Sequence, residues 1–263
     1  MSGPGAAERA EHALVPSLGR DITVTVVAVV LTAAVFVAVA EHGALARIQH
    51  LDDAWLRIMI SNRSGPVTAF AKFLNVLGLV YVTLPVRIVI AGFLALRRRW
   101  WHLTAFALAI AMSEILIGTL KGIYDRARPL GSLVATSGTS FPSGHSIAAS
   151  VTVVAAVIAL VPPGRRRAAW GAGAVAFSIL MALSRAYLGA HWLSDAVAGV
   201  LLGTSCALLA ALAVGLLQLR WASRRAGGPA PPAGQPVPDT TQPADRGSPR
   251  AQSPPAGQHL DHA

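Results

Sequence analysis

Three short stretches of this 263-residue chain hold residue types suited to handling a phosphate group: KGIYDRARP (Lys121 to Pro129), PSGH (Pro142 to His145) and SRAYLGAHWLSD (Ser184 to Asp195). They supply Lys121, Arg128 and Arg185 as fixed cations, His145 and His191, and the carboxylate of Asp195. His191 and Asp195 are spaced i, i+4, so one helical turn puts them on a common face. A carboxylate on one imidazole nitrogen fixes the tautomer and raises the basicity of the other nitrogen, which can then attack phosphorus. An Asp–His pair that merely caps a helix has the same spacing, so the pair gains meaning only from its company.

Lys121 is one of only two lysines among 22 Lys and Arg residues, so an ammonium stands where arginine is the usual cation. A point charge and a planar fork suit different oxygens of one phosphoryl group. Arg126 lies between Lys121 and Arg128, and its expected contact is a lipid headgroup or solvent. In PSGH, Ser143 is a good N-cap and Gly144 lets backbone approach a ligand. Free amides at a helix N-terminus attract anions. Taken singly, each cluster also fits a plainer role as interfacial charge or a helix cap.

The elements that must position these residues are strongly apolar. The chain is 54% hydrophobic and 13% charged, with a mean hydropathy of +0.55. About 20 apolar helical residues cross a ~30 Å hydrocarbon layer, and six such runs are expected at 22–40, 79–97, 102–121, 145–162, 168–188 and 195–217. The first ends in Ala38-Val39-Ala40, which resembles a signal-peptidase site, but the 19-residue run favours a retained anchor. The domain reading is a cytoplasmic segment at 1–21, a membrane domain at 22–217 and a disordered tail at 218–263. That tail is rich in Pro, Gly, Ala and Gln.

The net charge of +10 is gathered in short arginine clusters at the ends of apolar runs rather than on a basic face, which argues against a nucleic-acid partner. Arg97 to Arg99, Arg165 to Arg167, and Arg220 with Arg224 and Arg225 are mutually consistent as cytoplasmic ends under the positive-inside rule. The three chemical stretches then face outward. Two shorter segments, 51–62 and 67–78, carry apolar stripes and read as amphipathic helices in the outer interface, where they either pack against the bundle or serve lipid entry. Glu114 lies seven residues before Lys121, about 10 Å deeper along one helix, and an ion pair with Arg87 on the preceding span is expected. The lone Cys206 carries no redox information.

KGIYDRARP, PSGH and SRAYLGAHWLSD match, in order, the three-part pattern K-x6-RP, PSGH and SR-x5-H-x3-D. The chain therefore resembles the type 2 phosphatidic acid phosphatase (PAP2) superfamily over about residues 50–217. The resemblance implies an all-α, six-span helical bundle of the PAP2 and vanadium haloperoxidase-like type, with no metal or other cofactor. It implies His191 as nucleophile through a phosphohistidine, Asp195 as its orienting carboxylate and His145 as general acid and then base. Lys121, Arg128 and Arg185, with Ser143 and the Gly144 amide, would hold the phosphoryl oxygens.

The expected substrate is a membrane lipid phosphate: polyprenyl pyrophosphate, phosphatidic acid or phosphatidylglycerol phosphate. An Ala- and Arg-rich chain of this type fits a bacterial plasma (inner) membrane, with the site on the extracytoplasmic side. Vanadium-dependent haloperoxidases share the motif set but are largely soluble, so six apolar runs argue against an oxidoreductase. A non-catalytic lipid-binding protein or transporter would not require both histidines. The motifs specify neither the lipid nor an oligomeric state.

Overall fold

The computed structural model describes residues 13–226, and every regular element among them is helical. In chain order these are α1 (Leu18–Ala40), α2 (His42–Ser61), α3 (Gly65–Leu77), α4 (Val80–Leu96), α5 (Trp100–Ile123), α6 (Gly144–Leu160), α7 (Arg165–Tyr187) and α8 (Leu193–Ala226). The expected N-terminal segment up to residue 12, and the tail beyond residue 226, lie outside the described residues. α8 runs to Ala226, so 218–226 is helix where the tail was expected to begin.

α6 and α8 form the axis of the bundle, with α5, α1 and α7 packed around them. Two glycines explain how closely the axial pair approaches. A Cβ on Gly199 would stand 2.7 Å from the Ser143 carbonyl oxygen, and one on Gly203 would stand 2.6 Å from that of Ile147. Small residues four apart let helix backbones touch where lipid offers no hydrophobic drive. The buried core continues through Ile147, Val151, Leu202 and Cys206 to Phe36 and Phe106. At one end of this core Phe141 is fully buried, with ring centroids 4.8 Å from both Phe36 and Tyr124. That aromatic trio anchors the loop leading into Pro142-Ser143-Gly144-His145.

The expected spans are present as helices, but not as six separate crossing helices. Four, namely α1, α5, α7 and α8, are long and apolar enough to cross a membrane, and α3 with α4 makes a fifth if that bent pair is one span. α3 and α4 meet at 53° around Gly78 and Leu79. α3 thus continues into α4 through a sharp bend, and it packs against α7. α6 has 17 residues, about 26 Å of helix. Its central position explains the shortness, since neighbouring helices cover it. α2 begins at His42, well before the expected 51, because Glu41 caps it by accepting from the Gly43 and Ala44 amides at 3.0 and 2.5 Å.

α2 turns Leu45 and Ile48 toward the core, but it also turns one carboxylate inward. Asp52 is 2% exposed, whereas Leu51 and Ile58 are 71% and 51% exposed. A buried carboxylate needs partners, and Arg126 and Ser194 supply them.

The two ends of the bundle differ in character. At one end Trp101 packs edge-on to Trp221 at 5.8 Å, and Arg167 donates to the carbonyls of Val161, Leu14 and Ala13. The arginine clusters gather there. At the other end the C-termini of α5 and α7 meet the N-termini of α6 and α8, and this junction carries all three chemical stretches.

Candidate active site

α8 starts with a side-chain cap from within its own first turn. Trp192 precedes the helix, and its amide donates to Asp195 Oδ2 at 3.0 Å from three residues further on. This cap fixes the turn on which His191 stands. His191 is 3% exposed, and its Nδ1 contacts the Ser140 carbonyl oxygen at 2.7 Å. A carbonyl can only accept, so Nδ1 carries the proton and Nε2 presents its lone pair. Nε2 lies 3.2 Å from Arg128 Nη1, on the side where the cations collect. Burial, followed by the charges of Arg128 and Arg185, pushes the His191 pKa down to about 4, although Asp195 opposes the shift. At neutral pH the ring is therefore uncharged and nucleophilic at Nε2.

Asp195 was expected to bond the nucleophile directly. Its Oδ2 instead lies 3.8 Å from Nδ1, and the direct acceptor is the Ser140 carbonyl. The carboxylate acts one step back, accepting from Ser140 Oγ at 2.5 Å and from the Trp192 amide. It fixes both the loop and the turn that hold the imidazole.

Arg128 is wrapped in peptide oxygens. It donates to the carbonyls of Ser137, Gly138, Thr139 and Ala190 at 2.6 to 3.0 Å. Lys121 Nζ reaches the Thr139 carbonyl at 3.4 Å, and Thr139 Oγ1 donates back to the Lys121 carbonyl. Arg185 is 2% exposed and donates to Asn75 Oδ1 on α3. Lys121, Arg128 and Arg185 thus converge on the two histidines, held by carbonyls and an amide rather than by carboxylates of their own. Such a cluster retains positive charge for an anion.

Ser143 is fully buried, accepts from Ser146 Oγ at 3.0 Å and ties its amide to the Asp195 carbonyl at 3.1 Å. Gly144 is the first residue of α6 and His145 the second. The Nε2 of His145 is buried without a protein partner, and its ring presses on Gly78, where a Cβ would come within 2.5 Å of Cδ2. All eight expected residues therefore lie at one end of the bundle, with Arg185 and His145 tied to the rest through α3.

Arg126 departs from expectation. Its side chain is 8% exposed and its partners lie inside the bundle. It forms ion pairs with Asp195 at 2.6 Å and Asp52 at 2.7 Å, and further bonds to Ser194 and Gln49. Inside the bundle a charge seeks buried counter-charges, and α2 supplies one. Asp52, Asn75, Gly78 and Ser140 were not visible as site residues in the sequence. The one hint was Asp52, an acid inside the apolar stripe of Leu51, Trp55, Ile58 and Met59.

Residues 102–218 match the family model described as the PAP2 superfamily. A phosphatidylglycerophosphatase B from Bacillus subtilis (strain 168) is 29% identical over 163 residues, covering 59% of this chain and 79% of that protein. An undecaprenyl-diphosphatase from Sulfolobus acidocaldarius is 28% identical over 151 residues, covering 54% of this chain and 68% of that one. The crystal structure of a transmembrane PAP2-type phosphatidylglycerolphosphate phosphatase from Bacillus subtilis superposes with a TM-score of 0.61 at 25% identity. It covers 74% of this chain and 96% of the other. Residues 102–218 thus carry the PAP2 superfamily pattern, and the chain is an integral membrane hydrolase of the lipid phosphatase class.

Proposed function

We propose that this protein hydrolyses the phosphomonoester or pyrophosphate of a membrane lipid through a phosphohistidine, at the outer face of a bacterial plasma membrane. The observation that carries the reading is the His191 ring, with Nδ1 held on the Ser140 carbonyl and Nε2 directed at Arg128. In the first step Nε2 attacks phosphorus as the bond from phosphorus to the lipid oxygen breaks, and His145 gives its proton to that leaving oxygen. In the second step His145 takes a proton from water, whose oxygen attacks phosphorus and displaces His191. Lys121, Arg128 and Arg185, with Ser143 and the Gly144 amide, neutralise the equatorial oxygens throughout.

In this reading α6 is the sixth crossing element, and the domain spans 22–217 with cytoplasmic termini. The arginine clusters at the opposite end support the outward site. The two named relatives support both a glycerophospholipid phosphate and a polyprenyl diphosphate as substrate classes.

Purified full-length protein in detergent should release phosphate from a panel of phosphatidic acid, phosphatidylglycerol phosphate and polyprenyl diphosphate. The His191→Ala variant should lose at least about 10³-fold in kcat. Activity that survives His191→Ala, or that is abolished by chelators and restored by Mg²⁺, overturns the mechanism.

A further inference from the structure

Asp52, Arg126 and Asp195 form a buried row running from α2 to the turn that carries His191. Asp52 is 2% exposed, Asp195 is fully buried and the Arg126 side chain is 8% exposed. One arm of the guanidinium meets Asp195 Oδ1 and Ser194 Oγ, and the other meets Asp52 Oδ2 and Gln49 Oε1, all at 2.6 to 2.7 Å. Asp52 also accepts from the Ser194 amide at 2.9 Å and from Ser194 Oγ at 2.6 Å, so it caps α8 from another helix. The Trp192 ring lies 5.6 Å from the guanidinium carbon.

Two carboxylates share one guanidinium, so the row carries a net charge of one minus. A helix cap needs no second carboxylate and no buried arginine. The row ends at Asp195, behind Nδ1 of His191, while Arg128 stands at Nε2. The imidazole is thus placed between a negative and a positive pole. When Nε2 bonds to phosphorus and Nδ1 keeps its proton, the ring takes on positive charge, and the negative pole stabilises it.

We propose that Asp52, acting through Arg126, is a positioning residue for phosphoryl transfer, fixing Asp195 and supplying the net negative charge behind His191. This rests on the phosphohistidine reading given above. Among the described residues, the other charged or titratable groups on this side of the bundle are Arg128 on the loop after α5, Lys121 at the end of α5, His145 on α6, Arg185 on α7 and Arg63 between α2 and α3, which stands beside Gly189. None of them bonds to the row. Removing the charge of Asp52 leaves Arg126 to neutralise Asp195 alone, which makes the ring less basic.

The test compares wild type, Asp52→Asn and Asp52→Glu as full-length protein in detergent, using short-chain phosphatidic acid. Three quantities are read: kcat and KM, the pH profile of kcat/KM, and the ¹⁵N titration of the His191 ring assigned with His191→Gln. Asp52→Asn should lower kcat about tenfold with KM changed less than about threefold. Its titration midpoint and the acid limb of the profile should move to lower pH by about half a unit or more. Asp52→Glu should restore most of both. An unmoved midpoint in Asp52→Asn, or an activity loss matched by loss of folded protein in both variants, overturns the proposal. Absence of phosphate release by the wild type would instead sink the phosphatase reading, and the ¹⁵N midpoint would still report on Asp52.

Discussion

Arg87 on α4 donates to Glu114 on α5 across 2.7 Å, and its Nε donates to Thr152 Oγ1 on α6 at 2.9 Å. One buried arginine thereby joins three helices, and α4 has few other ties to the bundle. The Glu114 side chain is 54% exposed and the Arg87 side chain 9% exposed, so the two partners are not equivalent. Arg87→Ala should lower the Tm by several degrees, because it also leaves Thr152 unpaired. Glu114→Ala should lower it less, and the double variant should match Arg87→Ala. Additive losses in a double-mutant cycle measured by thermal unfolding would exclude coupling between the two.

Acid should destabilise the protein through His191. Its folded pKa of about 4 lies below the ordinary value of 6.5. Between those values the unfolded chain binds a proton that the folded chain does not. Stability therefore falls as pH drops through this window and is fully present above about 6.5. His191→Gln removes the titrating group, so its Tm should fall less than that of wild type between pH 7 and pH 5. Parallel Tm profiles for the two proteins would contradict this assignment.

Gly78 sits where α3 breaks into α4 and touches the His145 ring. Gly78→Ala places a methyl within 2.5 Å of Cδ2, so the ring must shift. The expected result is a loss of about tenfold or more in kcat with little change in Tm. Wild-type turnover by this variant would show that His145 does not depend on that wall.

Gly203→Ala tests the axial packing. Its Cβ would stand 2.6 Å from the Ile147 carbonyl oxygen and 2.9 Å from the Val151 amide nitrogen, and backbone cannot rotate aside. Overpacking of this kind costs about 1–3 kcal/mol. Thermal unfolding should show a clear fall in Tm, whereas Gly118→Ala, with nothing within 4 Å of its Cβ position, should leave Tm close to wild type.

Much of this architecture is legible in the sequence because lipid and phosphate each impose strong patterns. Apolar runs locate the helices, arginine clusters sort their ends, and the three motifs name eight residues that meet at one end. The Arg87–Glu114 pair was readable because a charge in an apolar run needs a partner at matching depth. Arg126 was not, since the motif spacing passes over it and its counter-charge lies 74 residues away on α2. Asn75 and Gly78 carry no signal in the sequence because their contacts arise from the bend between α3 and α4, which depends on packing. The shortness of α6 likewise depends on what surrounds it.

Residues 137–140 serve the site almost entirely with peptide oxygens. The carbonyls of Ser137, Gly138 and Thr139 bind Arg128, that of Thr139 also binds Lys121, and that of Ser140 binds His191. Backbone carbonyls are the same in every residue type, so the path of this segment matters more than its spelling. The side chain of Ser137 is open to drift that would leave this end of the bundle undisturbed, whereas Thr139 Oγ1 holds the Lys121 carbonyl, and a scan for reactive side chains passes over the stretch that orients His191.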